Sequence, residues 1–413
     1  MNIFKIYLNK FKYLYKQYPR QYWLLVLGTL VNSLGVSLVW PFLTIYLRAK
    51  LDLPLTTITS LISLDASMVL LSSFIAGPII DSFGRKWVMV IGMAVNGLGY
   101  LLMGQADTYW TFAILMILRG TFTPMYHIGA DSMVADLVPE GKRLDAYSIT
   151  RVINNLGFAL GPTIGGIIAG RSYSLTFMIT FASLTAISLM IAIFMRETKP
   201  ETVTSSQSTG IRKFEGMASA FKDSFFLKFC AAFTLSKIAS SLLFTLLPVY
   251  AKENFAVPES QVGWIMLTNG MMIVIFQYFV THSMRKFPII PIMGVSAIMY
   301  AIGMFSITMG TRIEHFLISM AICTIGELML MPTSSALVAN IAPEDKRGRY
   351  MSVFNLSQGV GRGIGPITGG FLSDTFAPVM IWFGGMVMAL LSAISYFLLK
   401  PAYDKMKTSG RIK

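Results

Sequence analysis

Apolar runs of about twenty residues recur along the chain and constrain its fold more than any other feature. Twelve runs alternate with short polar breaks over the 413 residues, at roughly 22–47, 58–80, 87–105, 109–135, 144–169, 173–195, 225–250, 260–282, 288–310, 315–340, 350–372 and 378–399. A helix of about twenty apolar residues crosses the hydrocarbon core of a bilayer. Charged residues make up only 13% of the chain, against about a quarter of an ordinary soluble domain. The sequence therefore predicts an all-α polytopic membrane protein whose surroundings are a lipid bilayer.

The longest polar gap divides the twelve runs into two sets of six. It contains the stretch ETKPETVTSSQSTG, whose Ser, Thr, Pro and charged residues cannot build a hydrophobic core. We predict three parts: a six-helix bundle with a basic cytoplasmic N-terminus over 1–195, a cytoplasmic linker over 196–224, and a second six-helix bundle with a basic tail over 225–413.

The net charge of +14 is explained by membrane orientation rather than by a nucleic-acid partner. With both termini placed in the cytoplasm, 25 of the 34 lysines and arginines fall in the tails and cytoplasmic loops, 5 in external loops and 4 inside apolar runs. Cytoplasmic loops of membrane proteins carry an excess of basic residues, and here those residues are scattered rather than gathered in one stripe. We therefore expect a multi-pass protein of the plasma membrane, with both termini in the cytoplasm and no nucleic-acid partner.

The two halves repeat each other in sequence. Residues 138–166 align without gaps with residues 342–370 at an offset of 204, and the identical positions include a Pro-Glu pair, a Lys-Arg pair and four glycines. At the same offset Tyr46, at the end of the first run, corresponds to Tyr250, at the end of the seventh. A parallel repeat of this kind predicts two pseudo-symmetric six-helix bundles that rock against each other.

A short loop between the second and third runs carries the first specific motif. The stretch GPIIDSFGRK contains Gly77, Asp81, Gly84, Arg85 and Lys86 in the spacing G-x-x-x-D-x-x-G-R-K. Glycine permits a close helix approach and a tight turn, and the paired cations hold the loop on the cytoplasmic side. The loop resembles the signature loop of the major facilitator superfamily, which implies the fold of that family. The corresponding loop of the second half, THSMRKFPII, lacks the Asp and both glycines.

The fifth run carries a glycine motif, made up of Gly157, Gly161, Pro162, Gly165 and Gly166. Glycines at i, i+4 and i+8 leave one helix face without side chains and allow a neighbouring helix to pack closely, while the proline permits a bend. The pattern resembles the GxxxGPxxGG motif of the drug:proton antiporters in the same superfamily, which implies antiport. Tight helix packing alone would require the same glycines, so that interpretation stays open.

Seven charged residues lie inside the apolar runs and away from their ends, where each costs at least about 2.5 to 3.5 kcal/mol. Such residues are expected to face a cavity or an opposite charge. They are the cations Arg119, Arg151, Lys237 and Arg362 and the anions Asp65, Asp131 and Glu327. Uncharged amides are further cavity candidates because lipid cannot satisfy them: Asn32, Asn154, Asn155, Asn269, Asn355 and Gln358.

Depth along the runs suggests how the charges of the first half pair. Asp131 and Arg151 lie about six or seven residues from the cytoplasmic ends of their runs, so they can meet across the hairpin. Asp65 and Arg119 also lie at similar depths. Arg119 resembles the buried arginine of the superfamily's fourth-helix motif, although the usual downstream Gln-Gly is replaced by Phe-Thr. We take these residues as candidates for proton coupling or substrate binding, together with His127, one turn before Asp131.

Glu327 is the charged residue that we expect to carry proton coupling. Lys237 and Arg362 lie at a similar depth near mid-membrane, so Glu327 has two cationic neighbours available. Burial makes a carboxyl group easier to protonate and a nearby cation has the opposite effect, so a conformational change can load or release a proton. The Gly-Glu pair with a proline five residues later resembles the tenth helix of some multidrug:proton antiporters, whose membrane carboxylate takes part in coupling. A static ion pair remains the alternative.

These features predict a secondary active transporter of the major facilitator superfamily, energised by a proton gradient, without cofactor or metal, and monomeric. The resemblance to drug:proton antiporters implies efflux of small amphiphilic molecules in exchange for protons. Four interior cations against three anions do not favour cationic drugs, so proton-coupled transport of an organic anion, sugar or lipid remains the alternative. The sequence contains no G-x-x-x-x-G-K-[ST] stretch, the phosphate-binding motif of ATP-driven pumps, so a pump of that kind is disfavoured. The three histidines are widely separated, so a membrane enzyme is less favoured, as is a receptor.

Overall fold

The computed structural model describes residues 17–199, 220–343 and 346–409. Residues 1–16, 200–219, 344–345 and 410–413 lie outside the described part. The predictions of a basic N-terminus and a polar linker fall largely on these residues, and the prediction of a basic tail falls on them in part.

Twelve long helices make up most of the described chain, and no strand occurs within it. Helix α1 runs from Arg20 to Leu51 with a 3-10 turn at Trp40–Phe42. The other helices are α2 Leu55–Phe83, α3 Arg85–Met103, α4 Tyr109–Leu137, α5 Arg143–Ala169, α6 Tyr173–Phe194, α7 Ser224–Phe255, α8 Glu259–Met284, α9 Ile289–Thr308, α10 Ile313–Ile341, α11 Arg347–Thr375 and α12 Met380–Thr408. The predicted all-α polytopic fold is therefore confirmed.

Ten of these helices are long and apolar enough to cross a membrane. The other two, α4 and α11, are as long as the rest but fall short in apolar content. Helix α4 carries Arg119, His127 and Asp131, and α11 carries Arg362. Charges inside a membrane protein turn toward other helices or a cavity. The two least apolar helices therefore carry several of the groups on which function was expected to depend.

The predicted helix ends agree with the observed ones to within about five residues, except at the end of α12. The apolar run ends at residue 399, but the helix continues to Thr408. Tyr403 on this extension is buried, and its ring centroid lies 6.1 Å from that of Phe225 at the start of α7. Packing on α7 therefore extends the helix beyond its membrane-crossing stretch.

The two halves share one register. Adding 204 to the first residue of any of the helices α1 to α5 gives the first residue of the corresponding helix among α7 to α11. One hydrogen bond repeats with that offset: Ser37 Oγ donates to the carbonyl of Gly157 at 3.1 Å, and Ser241 Oγ donates to that of Gly361 at 3.0 Å. Helix α1 thus packs on α5 as α7 packs on α11, and the pseudo-symmetry predicted from the sequence repeat is confirmed.

The halves touch each other at one end of the bundle. We call the end near Arg20 and Thr408 the linker side and the opposite end the far side. On the far side, Arg48 at the end of α1 forms an ion pair with Glu253 of α7 at 3.2 Å. The carboxylate of Asp374, at the end of α11, accepts hydrogen bonds from the first turn of α2. These polar contacts join the first half to the second.

Toward the linker side the halves separate. Ala159 of α5 lies against Gly270 of α8, so the two helices pack closely to that depth. Further toward the linker side, Val152 of α5 is 60% exposed and Val274 of α8 is 49% exposed. The space between the halves therefore opens on the linker side.

Candidate functional site

Two buried charges form an ion pair between α2 and α4. Arg119 Nη2 lies 2.7 Å from Asp65 Oδ2, and the two residues are only 4% and 2% exposed. Arg119 Nη1 donates to Tyr100 Oη at 2.6 Å, and the guanidinium lies 5.1 Å from the ring of Trp40. Asp65 therefore pairs with Arg119, as their similar depths predicted. Such a pair costs about 3–5 kcal/mol to break by removing one partner, because the remaining charge stays buried without compensation.

The other pair predicted for the first half, Asp131 with Arg151, is wrong for this conformation. Among the described residues no ion pair joins the two side chains, and both are exposed. Tyr147 Oη of α5 instead donates to the backbone carbonyl of Asp131 at 2.9 Å. His127 is also exposed. These groups lie toward the open side of the bundle, where solvated charges gain little by pairing.

Glu327 of α10 is held by α8 rather than by a cation. Asn269 Nδ2 donates to Glu327 Oε2 at 2.8 Å and to Thr324 Oγ1 at 3.0 Å. Asn269 is buried and Glu327 is partly buried. Within the described ranges, no ion pair joins Glu327 to Lys237 or Arg362. The cations predicted as neighbours of Glu327 are therefore not its bonded partners.

Lys237 and Arg362 nevertheless belong to the same region. Lys237 of α7 is buried beside Gly361 of α11, and the described part of the chain offers its ammonium group no hydrogen-bond acceptor. Arg362 is exposed and likewise has no acceptor among the described residues. The charges of Arg362 and Glu327 both act on Lys237. Three ionisable groups from α7, α10 and α11 thus form one electrostatic cluster.

The sequence repeat relates the two sites. Asp65 of α2 corresponds to Asn269 of α8 at the 204-residue offset. Asp65 joins α2 to α4 through Arg119, and Asn269 joins α8 to α10 through Glu327. Equivalent helix pairs are therefore bridged from equivalent positions. The bridge is a buried ion pair in the first half and a hydrogen bond from an amide to a carboxylate in the second half. The sequence predicted Asn269 only as a cavity residue, although applying the offset to Asp65 points to it.

The glycine motif of α5 packs against α1. Gly157 and Gly161 lie against the side chains of Ser33 and Ser37, and a Cβ at either glycine would overlap a serine hydroxyl. Gly165 lies against the main chain of Leu38. This confirms the predicted close packing along one helix face, which depends on the absence of side chains.

The remaining members of the motif lie at the contact between the halves. Gly166 packs against the main chain of Glu259, and the carbonyl of Pro162 lies against Gly263, both on α8. Tyr173 Oη of α6 also donates to Glu259 Oε1 at 2.7 Å. The motif therefore contributes to the closed far side as well as to packing within one bundle.

The signature loop forms a charged cluster on the linker side. Gly84 adopts a φ of +91°, which lets α2 end and α3 begin within one residue. Arg85 reaches Asp136 of α4 at 3.2 Å and Asp81 of α2 at 3.5 Å. Gly77 does not mediate a helix contact in this conformation, because no atom of another helix in the described ranges lies within 4 Å of the position of a Cβ there. The predicted close approach at Gly77 is absent because the halves separate toward this end.

Glu197, just beyond α6, caps this loop. Its carboxylate accepts hydrogen bonds from the backbone N–H of Arg85 at 2.9 Å and of Lys86 at 3.1 Å, at the first turn of α3. Partial burial alone would raise the pKa of Glu197, but N–H donors from Arg85, Lys199, Lys86 and Thr198 hold that pKa below its usual value. The sequence reasoning missed this residue because it lies in the predicted linker.

Comparison with known proteins identifies the family. The family model of the Major Facilitator Superfamily matches residues 25–253 and 229–412. A Na(+), Li(+), K(+)/H(+) antiporter of Planococcus maritimus is 25% identical over 94% of this chain and 98% of its own length. Multidrug resistance protein 1 of Bacillus subtilis is 26% identical over 93% of this chain and 98% of its own length.

The fold is likewise similar to that of solved transporters. The crystal structure of the nucleoside transporter NupG superposes with a TM-score of 0.80 at 13% identity, over 92% of this chain and 100% of that one. The family match covers nearly the whole chain and agrees with the repeat, the signature loop and the twelve helices described above. The chain therefore belongs to the Major Facilitator Superfamily, and it is a transporter rather than an enzyme.

Proposed function

We propose that the chain is a proton-coupled antiporter that exports small amphiphilic molecules, with Glu327 as the group that carries the proton. The carboxylate of Glu327 is the observation that supports this function. It is partly buried, it is bound by the amide of Asn269, and it has no cation paired to it in the described part of the chain. Such a carboxylate can exchange a proton, whereas the buried Asp65–Arg119 pair holds its two charges together.

We place the linker side in the cytoplasm of a plasma-membrane protein, with both termini on that side, because the basic loops lie there. The conformation described here then opens to the cytoplasm, and a monomer without bound cofactor can carry out transport. Substrate enters between the halves. Release outside requires the far-side contacts to break, among them the Arg48–Glu253 pair and the hydrogen bonds of Asp374.

Exchange follows if substrate and proton compete for one carboxylate. A cationic amphiphile binds best when Glu327 is ionised, and a proton that reaches the residue from outside displaces it. The names of two relatives agree with this mechanism, since one is called an antiporter and another a multidrug resistance protein. Alternation between two openings of the same cavity then couples the two fluxes.

Glu327→Gln tests the proposal in proteoliposomes under an imposed pH gradient. We expect proton-driven exchange of a cationic dye to be lost, while the variant purifies and unfolds like the unmodified protein. Glu314→Gln is the matched control, because Glu314 is an exposed carboxylate at the far-side end of the same helix. Normal exchange by the Glu327 variant would refute the role of Glu327.

Lys237 and Arg362 favour a second function, proton-coupled transport of an organic anion, including a sugar or lipid that carries one. Two cations without an acceptor in the described chain suit a carboxylate or phosphate group. An anion bound beside Glu327 would favour a proton on that residue, so proton and anion would move together instead of in exchange. The sign of coupling therefore separates the two functions. Anion uptake driven by an inward proton gradient and lost in Lys237→Met would support the second.

A further inference from the structure

We propose that Asn269 is a positioning residue for the proton-carrying carboxylate, fixing Glu327 toward α8 and favouring its ionised form. The inference rests on the proposed role of Glu327. It extends that role, because an uncharged side chain on another helix then helps to set the pH at which the carboxylate of Glu327 takes up its proton.

The hydrogen bonds determine which end of the Asn269 amide faces Glu327. Thr324 Oγ1 donates its only hydroxyl proton to the carbonyl of Met320 at 2.7 Å, so toward Asn269 it can only accept. The atom of Asn269 that faces Thr324 is therefore the nitrogen. The second N–H of the same group points to Glu327 Oε2 at 2.8 Å. Thr324 thus holds the amide in the orientation that presents a donor to the carboxylate.

A donor in this place acts differently on the two protonation states of Glu327. A hydrogen bond to an ionised carboxylate is roughly twice as strong as one to a neutral acid. Asn269 therefore favours ionised Glu327, and its removal leaves a carboxyl group that takes up a proton at higher pH.

Other groups also surround Glu327, and they set the background on which Asn269 acts. The charge of Glu327 acts on Lys237 of α7, Arg362 of α11 and Tyr300 of α9, and on Cys323, which lies one turn away on α10 itself. None of these four groups bonds to Asn269 in the described structure. Replacing Asn269 removes one donor and leaves these charges and dipoles in place.

The repeat gives an independent reason to assign a role to this position. Its counterpart in the first half, Asp65, also bridges the equivalent pair of helices, but it does so as a charge fixed to Arg119. An aspartate at 269 would instead set a second carboxylate against Glu327, and two adjacent carboxylates cannot both ionise readily. The amide joins the helices without taking up a proton itself.

The test follows the protonation of Glu327 directly, by the carboxyl C=O stretch in infrared difference spectra of the purified protein across a pH series. The Glu327 band is the one that disappears in Glu327→Gln. We expect Asn269→Ala to move the midpoint of this band upward by about half to one pH unit, from the difference between charged and neutral hydrogen bonds. Asn269→Gln, which keeps an amide donor, is expected to restore most of the shift. The pH profile of exchange is expected to move with the band.

Asn96→Ala is the matched control. Asn96 is a buried amide bonded to Thr123, and Thr123 corresponds to Glu327 at the 204-residue offset. Its replacement is expected to leave the Glu327 band in place. An unchanged midpoint in Asn269→Ala, or an equal shift in Asn269→Gln, would overturn the assignment. The spectrum needs no transport, so a failure of the proposed antiport and a failure of this assignment are separate results.

Discussion

The contact between Asp374 and α2 is expected to hold the far side closed. Helix α2 is preceded by Pro54, which offers no side-chain cap. The carboxylate of Asp374, from the other half, takes the place of that cap: it accepts from Leu55 N at 3.0 Å, from Thr56 N at 2.6 Å and from Thr56 Oγ1 at 2.7 Å. Because these bonds join the two halves, they are expected to be lost when the far side opens. Asp374→Ala therefore removes a stabilisation that belongs to one conformation.

The structure limits the size of this effect. A helix cap contributes about 1 kcal/mol, and a negative charge at a helix N-terminus adds about 0.3–1 kcal/mol at an exposed site. Asp374 is exposed, so we take about 1–2 kcal/mol for the whole contact. A change of that size shifts a two-state equilibrium by about 5- to 30-fold. A far-side-open population of about 1% would rise to between about 5 and 25%.

Spin labels on both halves can measure the shift. Gln105 and Met309 are exposed residues in the far-side loops after α3 and α9, and they correspond at the 204-residue offset. With cysteines at both positions, Asp374→Ala is expected to add a longer distance to the distribution. Asp107→Ala is the control, because Asp107 is a far-side carboxylate whose partner, Lys50, lies in the same half. An unchanged distribution in Asp374→Ala, or an equal change in Asp107→Ala, would refute the reasoning.

Two further predictions concern stability. Gly165→Ala is expected to lower the free energy of unfolding in detergent by about 1–3 kcal/mol, because its Cβ would meet the main chain of Leu38. Gly77→Ala is the control: no atom of another described helix lies near its Cβ position, and alanine is favoured over glycine inside a helix by about 0.5–1 kcal/mol, so this variant is not expected to lose stability. Glu197→Ala is expected to destabilise the protein by about 0.5–1 kcal/mol at neutral pH. The pKa of Glu197 is lowered in the folded protein, so its contribution is fully present above the pKa of the unfolded chain and disappears as the pH falls through the lower pKa of the folded protein. The difference in melting temperature between this variant and the unmodified protein should therefore vanish in acid and persist at pH 7.

The helices could be predicted from the sequence because one physical requirement determines them. A run that must cross a bilayer has a minimum length and excludes most charges, so its limits are visible in composition alone. The continuation of α12 to Thr408 was not predicted, since it depends on the packing of Tyr403 against Phe225. The pattern of apolar residues within one run carries no information about which distant part of the chain will pack against its end.

The partners of the interior charges were only partly predictable for a related reason. Depth gives one coordinate of a side chain, its position along the helix, and this sufficed for Asp65 and Arg119 because their helices pack at that depth. It failed for Asp131 and Arg151, since the open linker side leaves both side chains solvated. Rotation about the helix axis and the conformational state decide such contacts, and neither follows from residue spacing.

The comparison of the two halves also suggests how protonation of Glu327 can affect the contacts that close the far side. Position 119 of the first half corresponds to Cys323, so the second half has no arginine to neutralise an acid at position 269. The acid lies instead one turn along α10, at Glu327, and α8 contributes an amide. Protonation of Glu327 is then expected to weaken the contact between α8 and α10, because the hydrogen bond from Asn269 would no longer be made to a charged group. Asn269 lies about 15 Å along α8 from Glu259, which contacts the first half on the far side. One helix thus connects the proposed proton site to a contact that must break for the cavity to open on the far side.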